Sequence, residues 1–150
     1  MLCFMKRRHF YGWLALLYTL AVFGLAWHNW TGSTTQPSLQ LQIGATISAA
    51  FQQGGRAALI NIIGNVAAFA PSGWLLAFWR PKLRLWLIGL IGLGLSCTVE
   101  LGQYWLGYRV VDIDDVVLNS LGFSLAGSVA RASQRLIQRC TREVDRGDSS

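Results

Sequence analysis

The chain has 150 residues, of which 53% are hydrophobic and only 13% charged, with seven Trp and a mean hydropathy of +0.38. That is too apolar for an ordinary soluble domain of this size and selects a membrane class. The net charge of +6 does not indicate nucleic acid, because the basic residues fall in clusters between apolar runs, where they record membrane orientation and lipid headgroup contact.

Taken in chain order, the charge-poor runs are Phe10 to Trp27, Ala57 to Trp79, Leu85 to about Leu106, and Val110 to Ala130. Each approaches or exceeds the roughly 20 residues an α-helix needs to cross about 30 Å of hydrocarbon. The expectation is an all-α integral membrane protein with four transmembrane helices, forming one domain over residues 1–130, followed by a basic cytoplasmic tail over 131–150. Lys6, Arg7 and Arg8 before the first run also suit a signal peptide, but 18 apolar residues exceed the usual signal core and no small-residue cleavage site follows, so an uncleaved helix is expected. Cys3 precedes that run, the wrong place for a lipid-anchor cysteine.

Between the first two helices, the segment HNWTGSTTQPS is rich in turn formers. The following LQLQIGATISAAFQQGG reads equally as a short interfacial amphipathic helix or as a loop. Pro71 removes a backbone donor inside the second helix, so a kink is expected there. Gly89, Gly92, Gly94, Gly122 and Gly127 suit close helix packing. Trp27, Trp30, Trp79, Trp86, Tyr104, Trp105 and Tyr108 cluster near helix ends, where aromatic rings favour the headgroup level. The basic groups Lys6–Arg8, Arg80–Arg84 and Arg131–Arg142 lie on alternate connections, and the positive-inside rule puts all of them, with both termini, in the cytoplasm. After Ala130 a polar helical continuation is expected, then disorder.

No acidic residue occurs from Met1 to Val99; Glu100, Asp112, Asp114 and Asp115 then fall within sixteen positions of mostly apolar sequence. Ionisable groups in such surroundings are expensive and mark a functional site. Glu143, Asp145 and Asp148 lie in the polar tail and need no such account. Helical spacing places Asp112, Asp115, Asn119 and Gly122 on one face, with Asp114 roughly opposite Asp112. Asn61, Asn65, Ala68 and Ser72 form a second stripe, and Glu100 and Gln103 a third.

Counting 1.5 Å per residue from the cytoplasmic basic groups puts Glu100, Asp115 and Asn65 at about 22–24 Å, a common level near the outer interface. One outward-facing pocket made by the second, third and fourth helices follows, with Asn61, Asn65, Glu100, Gln103, Arg109, Asp112, Asp115 and Asn119 as its candidate residues. Three other uses of the cluster are open. It could be a docking network in which Arg109 pairs with Asp112 or Asp114, although buried ion pairs contribute little net stability. It could be a proton or ion path. It could be catalytic, with Glu100 and Asp115 as acid and base or as oxygen ligands of a divalent cation. His9 and His28 sit at the two ends of the first helix, outside the cluster. No hydrolase, zinc-protease or phosphate-loop motif occurs, no cofactor is specified, and Cys3, Cys97 and Cys140 have no disulfide or metal spacing.

Three motifs carry a resemblance: Asn65, Phe69, Pro71 and Gly73 in NVAAFAPSG, Glu100 and Gln103 in ELGQ, and Arg109, Asp112, Asp114, Asp115, Asn119 and Gly122 in RVVDIDDVVLNSLG. Their order and spacing over Asn61 to Gly127 resemble the VanZ-like membrane protein family. The resemblance implies a small multi-helix protein of the bacterial cytoplasmic membrane and a cell-envelope context, whose founding member is linked to resistance to the glycopeptide teicoplanin; it implies no reaction. By position, Glu100, Gln103, Arg109, Asp112, Asp115 and Asn119 are the family's polar signature. The expected partners are membrane lipids and, at the pocket, an envelope lipid, a glycopeptide-related ligand or a partner protein. The alternative is an acid- or metal-assisted membrane enzyme acting on an envelope lipid or phosphate.

Overall fold

In a hydrocarbon medium every peptide N–H and C=O must find its partner within the chain, so long apolar runs close into helices. The computed structural model describes residues 2–28, 39–52, 54–106 and 111–147. Its elements are α1 (Leu2–His28), β1 (Leu39–Gln40), α2 (Ala45–Gln52), α3 (Arg56–Trp79), α4 (Leu85–Trp105), β2 (Val111–Asp112) and α5 (Ile113–Gly147). Among the described residues three helical stretches are long and apolar enough to cross a membrane: His9–His28, Arg56–Trp79 and Leu85–Trp105. The fourth expected span lies within α5, whose opening turns carry Asp114, Asp115 and Asn119 and are correspondingly less apolar.

Two expectations are corrected. The fourth helix begins at Ile113, not Val110, because Val111 and Asp112 pair in parallel with Leu39 and Gln40. The segment after the turn-rich loop is neither wholly helix nor wholly loop: its alternating LQLQ start supplies β1, and only Ala45–Gln52 is helical. Glu143 lies in the continuation of α5, which runs unbroken past Ala130. Arg131, buried there, donates to the Arg80 carbonyl at 3.4 Å, and Gln134 donates to that of Ala77 at 3.4 Å. Cationic and amide donors at the end of α3 satisfy carbonyls that have no helical partner and oppose its dipole. Burial, and Arg135 close by, lower the Arg131 pKa from its ordinary value.

The distribution of polarity is inverted relative to a soluble protein. Leu17, Leu20, Leu25, Leu59, Ile63, Leu90, Leu101, Leu121 and Leu125 are exposed, whereas Ser72, Ser96, Glu100, Gln103, Asp112, Asp114, Asp115 and Asn119 are buried. Exposed apolar surface on this scale requires an apolar surrounding. The small apolar core consists of Phe69, Ala77, Ile88, Val99, Phe123 and Ala130.

Helix α5 packs chiefly on α3 and next on α4, while α1 lies mainly against α3. Glycines permit the closest crossings. An added Cβ at Gly73 would strike the Phe123 carbonyl oxygen, and one at Gly122 the Val66 carbonyl oxygen. Pro71 lies inside α3, which continues through it.

Candidate functional site

The site is assembled where α5 begins. Asp112 ends β2, and its Oδ1 accepts the Asp114 N–H at 2.9 Å, so it caps the helix that follows. The expected shared helical face of Asp112 with Asp115 and Asn119 is therefore replaced by a capping role, since Asp112 is not in the helix. The Asp112 N–H in turn reaches Glu100 Oε2 at 3.3 Å, tying α4 to the start of α5.

One turn into α5, Asp115 Oδ1 accepts from Asn65 Nδ2 at 2.6 Å, and the same amide nitrogen donates to Asn61 Oδ1 at 2.7 Å. The Asn61 and Asn65 stripe thus meets α5 at Asp115. Asn119 lies one turn further along and donates to Ser96 Oγ of α4 at 3.1 Å. Gln103 instead faces α1, giving its amide N–H to the Ala26 carbonyl at 3.3 Å. Arg109 lies outside the described residues.

Four of these side chains line one cavity of about 350 Å³, together with Tyr18, Val22, Ala26, Phe69 and Val99: they are Asn65, Glu100, Gln103 and Asn119. Gln103 and Asn119 are 6% and 3% exposed, and Gln103 Oε1 and Asn119 Oδ1 are buried with no hydrogen-bond partner. Each amide gives one N–H to the protein and keeps an unmet acceptor, which costs about 1–3 kcal/mol unless a donor arrives. Among the described residues no three His, Cys, Asp or Glu side chains converge to hold a metal ion.

The pattern of the VanZ/LLP1 family matches residues 10–134. The chain belongs to the VanZ/LLP1 family. No curated protein and no solved structure matches it. The family's span starts inside α1 and ends beyond Ala130, taking in Arg131 and Gln134, the residues that grip the end of α3.

In this VanZ/LLP1 protein the structure adds three features to those expected. The first helix is a wall of the cavity, so four helices, not three, enclose it. Tyr18 and Thr19 signalled this, being hydroxyl-bearing residues in the middle of an otherwise apolar run; Tyr18 donates to Ala68 O at 3.2 Å and Thr19 meets Ser72 Oγ at 3.0 Å. Ser96, fully buried, is the α4 partner of Asn119. Asp114, expected roughly opposite Asp112 on the helix, lies against α2 and the turn before it: its carboxylate accepts the N–H groups of Gly44, Thr46 and Ile47.

Proposed function

We propose that the protein is a four-span membrane protein of the bacterial cytoplasmic membrane, with both termini cytoplasmic, and that the cavity between α1, α3, α4 and α5 binds the headgroup of an envelope lipid or glycopeptide-related ligand. The observation that carries this reading is the pair of buried, unpartnered acceptors, Gln103 Oε1 and Asn119 Oδ1, on side chains lining one cavity. Two acceptors call for donors, and sugar hydroxyls and peptide amides supply them. A phosphate, which offers mainly acceptors, does not. An acid- or metal-assisted enzyme is less well supported, because Asp115 holds Asn65 and the described residues bring no metal-binding set together.

For the fourth span, support comes from α5 itself. Val117, Leu121, Leu125 and Val129 recur every fourth residue and are all exposed, an apolar stripe of about 18 Å at 1.5 Å per residue. In a background with Cys3, Cys97 and Cys140 replaced by serine, Ser48→Cys is expected to react with an impermeant thiol reagent on intact cells and Lys82→Cys only after lysis. The reverse pattern would overturn the orientation.

Headgroup recognition is tested with two twelve-carbon amphiphiles, n-dodecyl β-D-maltoside, rich in hydroxyl donors, and dodecyl dimethylamine oxide, which has only an acceptor. Native mass spectrometry of protein released from nanodiscs is expected to give at least tenfold tighter binding of the maltoside. Gln103→Met should remove most of that preference, since a site built to pair with a donor discriminates through its unmet acceptors. Equal binding of both amphiphiles would sink the proposal.

A further inference from the structure

A second cavity, of about 400 Å³, is lined by His9, Trp13, Leu16, Leu76, Trp79 and Ile91, among others, and is mostly apolar. It lies directly along the chain from the first. On α1, Tyr18 and Val22 line the polar cavity, and Ala15 and Thr19 line the apolar one. On α3 the corresponding residues are Ala68 and Phe69, then Ser72 and Leu76. On α4, Val99 gives way to Leu95, and on α5, Asn119 to Phe123. On every helix the step is about one turn, so the same four helices wall two stacked compartments.

We infer that the two compartments form one bipartite site for a single amphiphile, its donor-rich headgroup against Gln103 and Asn119 and its hydrocarbon chain in the apolar cavity along α1. The inference rests on the headgroup reading above and extends it to the rest of the ligand. Polarity sorts the two ends: one chamber is lined by Gln103 and Asn119, the side chains that carry the two unmet acceptors, while the other offers aliphatic and indole surface. Depth sorts them in the same sense. The polar chamber lies beside the start of α5, and the apolar one runs toward His9 and Trp79, next to the basic groups that mark the cytoplasmic side. A lipid of the outer leaflet has this order, headgroup outward and chain inward.

Along the boundary of the two chambers, the 3.2 Å Tyr18–Ala68 bond joins two residues that line the polar one and the 3.0 Å Thr19–Ser72 contact joins two that line the apolar one. Both bonds are made by α1, the helix that packs mainly against α3 and little against α4. A chain that occupies both chambers would cross along the seam between α1 and α3. Van der Waals contact with a chain would fill a space that otherwise forfeits it.

The test is a chain-length series of alkyl β-D-maltosides with 6, 8, 10 and 12 carbons, set against Leu16→Trp, which fills the apolar chamber, and Leu17→Trp, which alters a neighbouring lipid-facing residue outside it. In the unsubstituted protein affinity is expected to rise by about fourfold per added methylene, the fold-change that corresponds to ~0.8 kcal/mol. Leu16→Trp should flatten that dependence and weaken dodecyl maltoside at least tenfold, leaving hexyl maltoside bound as before, while Leu17→Trp changes neither. Melting temperatures of both variants check that each folds. Affinity independent of chain length, or identical behaviour of the two tryptophan variants, overturns the bipartite site while leaving headgroup recognition intact. Loss of the preference for maltoside over amine oxide overturns the headgroup reading instead.

Discussion

Gly73→Ala and Gly122→Ala are each expected to remove about 3 kcal/mol or more of stability, enough to deplete the folded protein from the membrane. The reason lies in which atoms the new methyl would meet. At Gly73 it lands on the carbonyl oxygen of Phe123, and at Gly122 on that of Val66. A side chain in the way could rotate aside, but a helical carbonyl cannot, so α3 and α5 would have to separate. That separation spreads, because Phe123 also packs its ring against Gly92 of α4, and Gly127 sits 3.2 Å by its would-be Cβ from the Gly73 carbonyl. With total stabilities of about 5–15 kcal/mol, a loss of this size consumes much of what a domain has. Gly64→Ala and Gly94→Ala are the controls, since a Cβ at either meets nothing within 4 Å. Alanine is the better helix former, so both should be neutral or slightly stabilising. Unfolding midpoints in an SDS titration, with membrane abundance alongside, separate the two pairs. Indistinguishable midpoints for Gly73→Ala and Gly94→Ala would mean that α3 and α5 do not cross as described.

These glycines also show how far the sequence could be read. Hydropathy located α3 and α4 to within a residue or so of their ends, because a long apolar run has only the helix available to it. Packing of the small residues was legible as a class and only partly residue by residue: Gly122, which shares the helical face of Asp115 and Asn119, is jammed against backbone, while Gly94, on no polar stripe, faces open space. The polar site was partly legible for the same reason. Helical spacing brought Asn61, Asn65 and Asp115 together, and the structure joins them through one amide nitrogen. Spacing failed at Asp112, where a two-residue strand pair stands in place of the expected first helical turn. It also omitted α1, since a single helix's contribution to a cavity depends on which face it turns inward, and α1 has apolar residues on every side.

Asp114→Ala is expected to release α2 and the β1 strand while leaving the bundle folded. Asp114 is 2% exposed, and its two carboxylate oxygens receive three backbone N–H groups: Gly44 at 2.6 Å, Thr46 at 3.1 Å and Ile47 at 3.3 Å. Thr46 and Ile47 belong to the first turn of α2, whose opening N–H groups have no partner within the helix, and a carboxylate there also complements the helix dipole. Gly44 reaches the same carboxylate from a left-handed conformation, φ +81°, which only glycine adopts readily. The rest of the segment's anchoring is shallow, for α2 packs on α3 without burying any residue and β1 pairs over two residues only. Hydrogen bonds to a charged acceptor contribute about 1.5–3 kcal/mol each, but water can replace part of what is lost at so exposed a helix. A local destabilisation of about 2–4 kcal/mol is expected on that basis. Hydrogen–deuterium exchange over residues 39–52 should accelerate at least thirtyfold, with the amides of α3, α4 and α5 beyond its first turn unchanged. Asp114→Asn should fall between the two, because an amide keeps one acceptor and turns a donor toward backbone N–H groups. Asp115→Asn supplies the contrast. Its carboxylate faces Asn65 on the opposite side, so the exchange of α2 should not change, and any acceleration there would mean that the two adjacent aspartates do not divide the work between anchoring α2 and shaping the cavity.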